Sequence, residues 1–296
     1  MSANIFTVNA VDFLSMLLMA TMLICNVWRL RSHTVENRLL LMMVICTLVG
    51  SLTDSASFTV DKVPGVVARV LSNTALFAAG IIACFGWALF ITLHMRGSVA
   101  QRTAMFLGVP AYVVLGLLVL NLFVPIFFQI DDNNTYSRLP LSLLVIALSY
   151  GDFFYSIALC YHMHKSTSGL RFFPGWALLF PVAVGGSTQL AIPSAPFFWP
   201  TVSIGIAGTV ASLQNEDIYR DRLTGAYNRA FLQYVCSGVI RKSRVEMTGI
   251  MIDINGFKQI NDKSIEKFIP SIDHAMYEDK KHYYEQHPEA DRRTGR

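Results

Sequence analysis

The sequence has few charged residues and no C-x-x-C motif. Only 15% of its 296 residues are Asp, Glu, Lys or Arg, 53% are hydrophobic, and the mean hydropathy is +0.44. Ordinary soluble domains carry about 25% charged residues, so this composition points to a membrane protein. Four of the five cysteines lie in apolar stretches. We predict that the cysteines are buried hydrophobic residues and not disulfide or metal ligands.

Basic residues are also scarce before the first apolar run, and the chain as a whole has only a small excess of them. No basic segment precedes the first apolar run, so we expect that run to be a membrane span and not a cleaved signal peptide. The net charge of +4 is small. We therefore expect no nucleic-acid partner, and we assign the basic residues to loops at a membrane.

The charges that are present divide the chain into two parts. Residues 1–213 contain 17 charged residues, whereas the much shorter segment 214–296 contains 27. This change predicts a membrane domain over 1–213 and a water-exposed domain over 214–296.

Long apolar runs fill the first part. A helix needs about 20 apolar residues to cross the hydrocarbon core of a bilayer. Seven stretches qualify, roughly at 8–28, 39–60, 71–95, 104–128, 139–161, 174–192 and 195–213. We therefore predict a domain of seven transmembrane helices.

The basic residues between these stretches predict the orientation. One set of alternate connections contains seven basic residues, namely Arg29, Arg31, Arg38, Arg96, Arg102, Lys165 and Arg171. The other set contains three, namely Lys62, Arg69 and Arg138. Because cytoplasmic loops carry the excess of Lys and Arg, we expect the N-terminus outside the cell and the tail in the cytoplasm.

Two acidic residues within the spans are candidates for sensing. Asp54 lies among hydroxyl residues toward the outer end of its helix, and Asp152 lies between Tyr150 and Tyr155. Intramembrane carboxylates are costly and often functional, although each could also be bonded to neighbouring hydroxyls. The small, polar stretch GGSTQL at 185–190 favours a close helix contact, with a ligand pocket as the alternative.

Three motifs, and a strand that leads into the second of them, mark the tail. DRLTGAYNR at 221–229 suggests a helix that breaks at Thr224-Gly225 and restarts with Asn228 as its cap, before Phe231. TGIMIDI at 248–254 reads as a buried strand, and DINGFKQIND at 253–262 follows with polar side chains of the kind that bind phosphate and metal. IDHAMYEDK at 272–280 comes last.

In this order the three motifs resemble those of GGDEF domains, the diguanylate cyclases, which join two GTP molecules into cyclic di-GMP across a pair of domains. The apolar part more loosely resembles the seven-span sensor regions that precede such domains in some bacteria. The resemblance implies a partial α/β cytoplasmic domain after an all-α membrane domain, in the bacterial inner membrane. It also implies a homodimer or pairing with other GGDEF proteins.

The resemblance assigns roles to five residues. Asp253 would supply a carboxylate and Ile254 a backbone carbonyl to Mg²⁺, which prefers oxygen ligands. Asn261 would read the guanine edge, and Lys258 and Lys280 would hold phosphates.

The tail departs from the family in what it lacks. No GGDEF-type string occurs, so the second metal carboxylate and the phosphate-binding turn are missing, as are the His and Gly-Asp that normally follow the IND segment. Asn255 stands where many members have Asp. We therefore expect weak GTP binding at most and no synthesis of cyclic di-GMP. The alternatives are an active cyclase, a membrane ligand-binding module with a vestigial tail, and decay of a longer gene.

Overall fold

The structure is a computed structural model that describes residues 5–26, 34–59, 66–131, 135–166, 174–192, 197–221, 223–224 and 226–234, together with 274, 277, 278 and 281. Two compact units can be distinguished, residues 1–242 and 243–296. The first unit carries the helices discussed below. In the second, the four described residues are helical.

The first unit is helical, as predicted. Within the described residues, helices of 17 residues or more overlap all seven predicted stretches: α1 (Ile5–Cys25), α2 (Val35–Thr59), α3 (Val66–Arg96), α4 (Gln101–Leu120), α5 (Ser142–Ser166), α6 (Gly175–Ala191) and α7 (Phe198–Ile218). Four regions are long and apolar enough to span a membrane, namely Val35–Ser57, Val66–Arg96, Gln101–Leu120 and Ser142–Met163, and Asn9–Cys25 is a shorter apolar helix. The membrane character of the chain is therefore supported.

Hydrogen bonds indicate that α1 and α2, α2 and α3, and α6 and α7 run in opposite directions. Ser15 of α1 and Ser51 of α2 are hydrogen-bonded at 2.9 Å, and Ser72 of α3 donates to the Thr53 carbonyl of α2 at 3.1 Å. Gln189 of α6 accepts a bond from the Phe198 backbone N–H of α7 at 3.2 Å. We use "hairpin end" for the end of the helices near Asp54 and Phe198, and "opposite end" for the end near Arg96 and Glu216.

Helix α7 is packed tightly among its neighbours at the hairpin end. Trp199, which is buried, packs its indole ring against Gly50 of α2, where a Cβ would overlap the ring. A Cβ on Gly185 of α6 would overlap Thr201 of α7 in the same way. Glycine at these two positions lets the helix backbones approach closely, as small residues do between membrane helices. For Gly185, the predicted helix contact is what the structure shows.

Helix α4 is shorter than the predicted span 104–128. It ends at Leu120, and the chain then forms a small antiparallel hairpin from β1 (Phe128–Ile130) and β2 (Tyr136–Arg138). The physical cause is Asn121, whose Oδ1 accepts the backbone N–H groups of Ile126 and Phe127, both at 2.7 Å. The chain turns back there, and the apolar residues that resembled a continuing span instead cover the ends of α3, α4 and α5.

The cysteine prediction holds only in part. Cys46 and Cys160 are buried and Cys84 is half-buried, but Cys25, at the end of α1, is exposed. Cys236 lies outside the described residues.

The turn after α7 follows the sequence prediction closely, except that the helix stops earlier, at Ile218. The Asp221 carboxylate accepts bonds from the backbone N–H and hydroxyl of Thr224, at 2.8 and 2.9 Å. These bonds hold the pKa of the exposed Asp221 carboxyl below its usual range. Asn228 Oδ1 accepts the Phe231 N–H at 3.2 Å and caps the short helix α8 (Arg229–Tyr234), so the predicted cap is confirmed.

Candidate functional site

A cavity of about 540 Å³ opens at the hairpin end of the first unit. Its walls come from α2, α3, β2, α5, α6 and α7. Ligand pockets in proteins commonly measure about 300–1,000 Å³, so this cavity has the size of a small-molecule site. We call it the large cavity.

Charged groups of both signs line the large cavity. Asp54 is 3% exposed, and its Oδ2 has no hydrogen-bond partner among the described residues. Arg69 and Arg138 also line the cavity, and Arg138 attracts the Asp54 carboxylate electrostatically. A buried carboxylate oxygen without a donor is costly, which makes Asp54 a group that a bound ligand would stabilise.

Tyr136 also lines the large cavity and interacts electrostatically with both cationic side chains. Burial raises the pKa of the Tyr136 hydroxyl, while the charges of Arg138 and Arg69 act in the opposite direction. The hydroxyl therefore stays protonated at neutral pH and can donate a hydrogen bond.

A second buried carboxylate, Asp12, was missed by the sequence reasoning. Asp12 of α1 is fully buried, and neither of its carboxylate oxygens has a hydrogen-bond partner within the described ranges. It repels Asp54 electrostatically. The criterion that selected Asp54, an acid inside an apolar stretch, applies equally to Asp12 in the first stretch. The structure thus has a pair of acidic side chains where the sequence pattern had suggested one.

Asp152, the other predicted sensing residue, lies in a different place. It lines a smaller cavity of about 110 Å³, between α2, α3, α5, α6 and α7. The two cavities share Ser149, Tyr150, Gly186 and Phe198 as lining residues. The GGSTQL stretch therefore both packs and lines a pocket, since Gly185 contacts α7 and Gly186 and Gln189 face the large cavity.

Three charged residues meet at the opposite end of the helices. His94 of α3 lies between two carboxylates, with Nδ1 3.5 Å from Glu36 of α2 and Nε2 3.4 Å from Glu216 of α7. Carboxylates only accept hydrogen bonds, so both ring nitrogens can donate only as the imidazolium. We call this group the His94 clasp. It was not predicted, because its members are distant in sequence.

The five residues of the predicted nucleotide site stay a prediction. Asp253, Ile254, Lys258, Asn261 and Lys280 all lie outside the described residues. Among the residues that are described, no group of three or more His, Cys, Asp or Glu side chains could hold a metal ion.

Comparison with known proteins gives no relative. No protein-family model, no curated protein and no solved structure matches this chain.

Proposed function

We propose that the chain is a membrane signalling protein of the GGDEF type, with seven membrane spans, that binds a ligand among its helices and does not make cyclic di-GMP. The family assignment rests on the three tail motifs at 221–229, 253–262 and 272–280. With the N-terminus outside the cell, as the basic residues predict, the large cavity faces the exterior and the His94 clasp lies near the cytoplasm.

One observation carries the signalling part of the proposal. Helix α7 contributes Phe198 and Trp199 to the large cavity at one end and Glu216 to the His94 clasp at the other. The Asp221 turn follows directly after this helix. A ligand that shifts α7 at the cavity would therefore change the position of the segment that leads into the tail. This coupling needs two arrangements of α7 that the ligand binds with different affinity.

Removing the histidine of the His94 clasp is expected to loosen the C-terminal end of α7. Replacing His94 by Ala removes the group that joins α2, α3 and α7 and leaves two carboxylates facing each other. The contacts are long, and the Glu36 side chain is 38% exposed, so we expect a cost of about 1–2 kcal/mol. Amide hydrogen exchange over 213–221 of the full-length protein should then become roughly 5–30 times faster.

His162 provides the matched control for this experiment. It is an exposed histidine on α5, and we expect exchange over 213–221 to be unchanged in His162→Ala. Equal exchange in wild type and His94→Ala would show that the clasp does not hold the end of α7.

The chemical prediction is that purified full-length protein supplied with GTP and Mg²⁺ yields no detectable cyclic di-GMP. Phosphoryl transfer depends on positioning and on neutralising the charge of the phosphates. Asp253 would be the one carboxylate left of the two that the family uses, and loss of a single preorganised charge-stabilising contact commonly costs about 2.7–4 kcal/mol in the barrier. Lys258 and Lys280 could still attract nucleotide weakly.

The assay separates product by chromatography, with a complete GGDEF enzyme as positive control. If product forms, and is lost in Asp253→Ala, the alternative of an active diguanylate cyclase replaces the proposal. Product that is formed equally by the Asp253→Ala variant would indicate a contaminating enzyme.

A further inference from the structure

We propose that the large cavity binds an α-amino acid with a large apolar or aromatic side chain. This inference rests on the proposed ligand-binding role of the membrane helices and names the chemistry of the ligand. It concerns Asp54, Arg138, Tyr136 and the apolar walls around them.

The first step is the excess of acceptors around Asp54. Oδ2 of this buried carboxylate has no donor among the described residues, and neither oxygen of the neighbouring Asp12 has one. The hydroxyl groups nearby are already bonded elsewhere: Ser55 donates to Asn9 and Ser15 bonds to Ser51. A cationic donor in the cavity would satisfy Asp54, and an ammonium group brings three N–H donors.

The second step is the positive charge that lines the same cavity. Arg138 extends from β2 and is exposed, while Arg69 on α3 is 9% exposed. Burial raises the pKa of the Tyr136 hydroxyl more than the two arginines lower it, so this hydroxyl keeps its proton. Guanidinium groups with a hydroxyl donor are the usual partners of a carboxylate. Because Arg138 is exposed and Asp54 is deeply buried, the ligand carboxylate would lie nearer the opening and its ammonium deeper.

The third step excludes ligands of one charge. A divalent metal ion needs several oxygen or nitrogen ligands, and within the described residues no cluster of three acidic, His or Cys side chains is present. A simple anion would be repelled by Asp54, and a simple cation by the two arginines. A ligand that carries both charges close together satisfies both sides.

The last step concerns the body of the ligand. Apolar and aromatic side chains also line the cavity, namely Leu76, Phe77, Val145, Ile146, Leu190 and Trp199. The cavity volume of about 540 Å³ leaves room for a large side chain beside the zwitterionic group. Small or charged amino acids would leave these apolar walls uncovered or bury an unpaired charge.

The test is isothermal titration of the full-length protein in lipid nanodiscs. The probes are tryptophan, phenylalanine and leucine, with glycine as the amino acid that lacks a side chain. For each amino acid that binds, the amine that lacks its carboxylate and the acid that lacks its ammonium group are titrated as well; for tryptophan these are tryptamine and indole-3-propionate. We expect saturable binding of at least one of the three large amino acids. Glycine and the two analogues of that amino acid should each bind at least tenfold more weakly than the amino acid itself.

Three variants locate the site. Asp54→Asn and Arg138→Gln should each weaken binding at least tenfold, because each removes one charged partner of the ligand. Asp152→Asn is the matched control, since it removes a carboxylate from the smaller cavity, and should change binding less than twofold. Arg138 is an exposed residue of the hairpin, so its substitution tests the site even if Asp54→Asn fails to fold.

The inference is overturned if none of the three large amino acids binds to folded protein, if binding survives both Asp54→Asn and Arg138→Gln, or if an analogue that lacks only the carboxylate or only the ammonium group binds as tightly as the amino acid from which it derives. These results would leave the proposed signalling function standing with a different ligand. Failure of that function would instead appear as synthesis of cyclic di-GMP.

Discussion

Replacing Gly50 by Val is expected to lower the stability of the membrane helices sharply. A Cβ at position 50 would overlap the indole ring of Trp199, which is 2% exposed. Overpacking a well-packed core typically costs about 1–3 kcal/mol, and a rigid ring opposed to a helix backbone should bring the cost to the upper end. The measurement is the apparent thermal unfolding midpoint of the full-length protein in detergent.

Gly116 is the matched control for this substitution. It also lies within a helix, but a Cβ built there meets no atom within 4 Å. Gly116→Val should therefore leave the unfolding midpoint close to that of wild type.

A second substitution tests the mechanism. Trp199→Leu alone should destabilise, because it removes a large buried side chain. The double variant Gly50→Val/Trp199→Leu should lose less stability than the sum of the losses in the two single variants, because residues in contact are not energetically independent. Additive effects, or a Gly50→Val protein as stable as Gly116→Val, would show that α2 and α7 are not closely packed at this point.

The second large effect is expected at Asn121. In Asn121→Ala the backbone N–H groups of Ile126 and Phe127 lose their acceptor, and Phe127 is fully buried. A buried donor left unsatisfied costs about 1–3 kcal/mol, and the Ile126 N–H is only part-buried, so we expect a total cost of about 2–4 kcal/mol. Thermal unfolding would report the loss, and limited proteolysis over 126–139 would report whether the hairpin opens.

Asn121→Asp separates the hydrogen bonds from general packing. Aspartate keeps an acceptor oxygen at the same position, and the two N–H donors can bond to it. Its charge at the C-terminal end of α4 is unfavourable, so we expect a loss smaller than in Asn121→Ala but not zero. If the two variants behave alike, the bonds to Oδ1 do not hold the hairpin.

The sequence predicted the parts of this fold that depend on local composition. Runs of apolar residues located α1 to α7, and four regions among these helices are long and apolar enough to span a membrane. The Asn228 cap was predictable for a related reason, since a cap and its N–H donor are only three residues apart. Asn228 and Phe231 are in that relation here.

The features that the sequence did not predict depend on contacts between residues, which hydropathy does not show. The end of α4 was placed too late because Phe127 and Phe128 are as apolar as a span, and hydropathy cannot show that Asn121 turns the chain back. The site was only partly predictable for the same reason. Asp54 could be named from its own position, but its neighbours Arg69 and Arg138 were counted only as loop charges until the fold brought them to one cavity.

Helix α7 has its proline in the first turn, so the rest of the helix can tilt as one segment. Pro110 and Pro181 lie inside α4 and α6, where proline bends a helix, whereas Pro200 is in the first turn of α7 and no proline follows it up to Ile218. Beyond that turn α7 continues as an uninterrupted helix to Ile218. At 1.5 Å per residue, about 25 Å separate Trp199 from Glu216. A tilt of about 5° at Trp199 would thus swing Glu216 by about 2 Å, enough to pull it out of reach of His94. A small tilt of α7 where Trp199 packs against Gly50 therefore produces a larger displacement at Glu216.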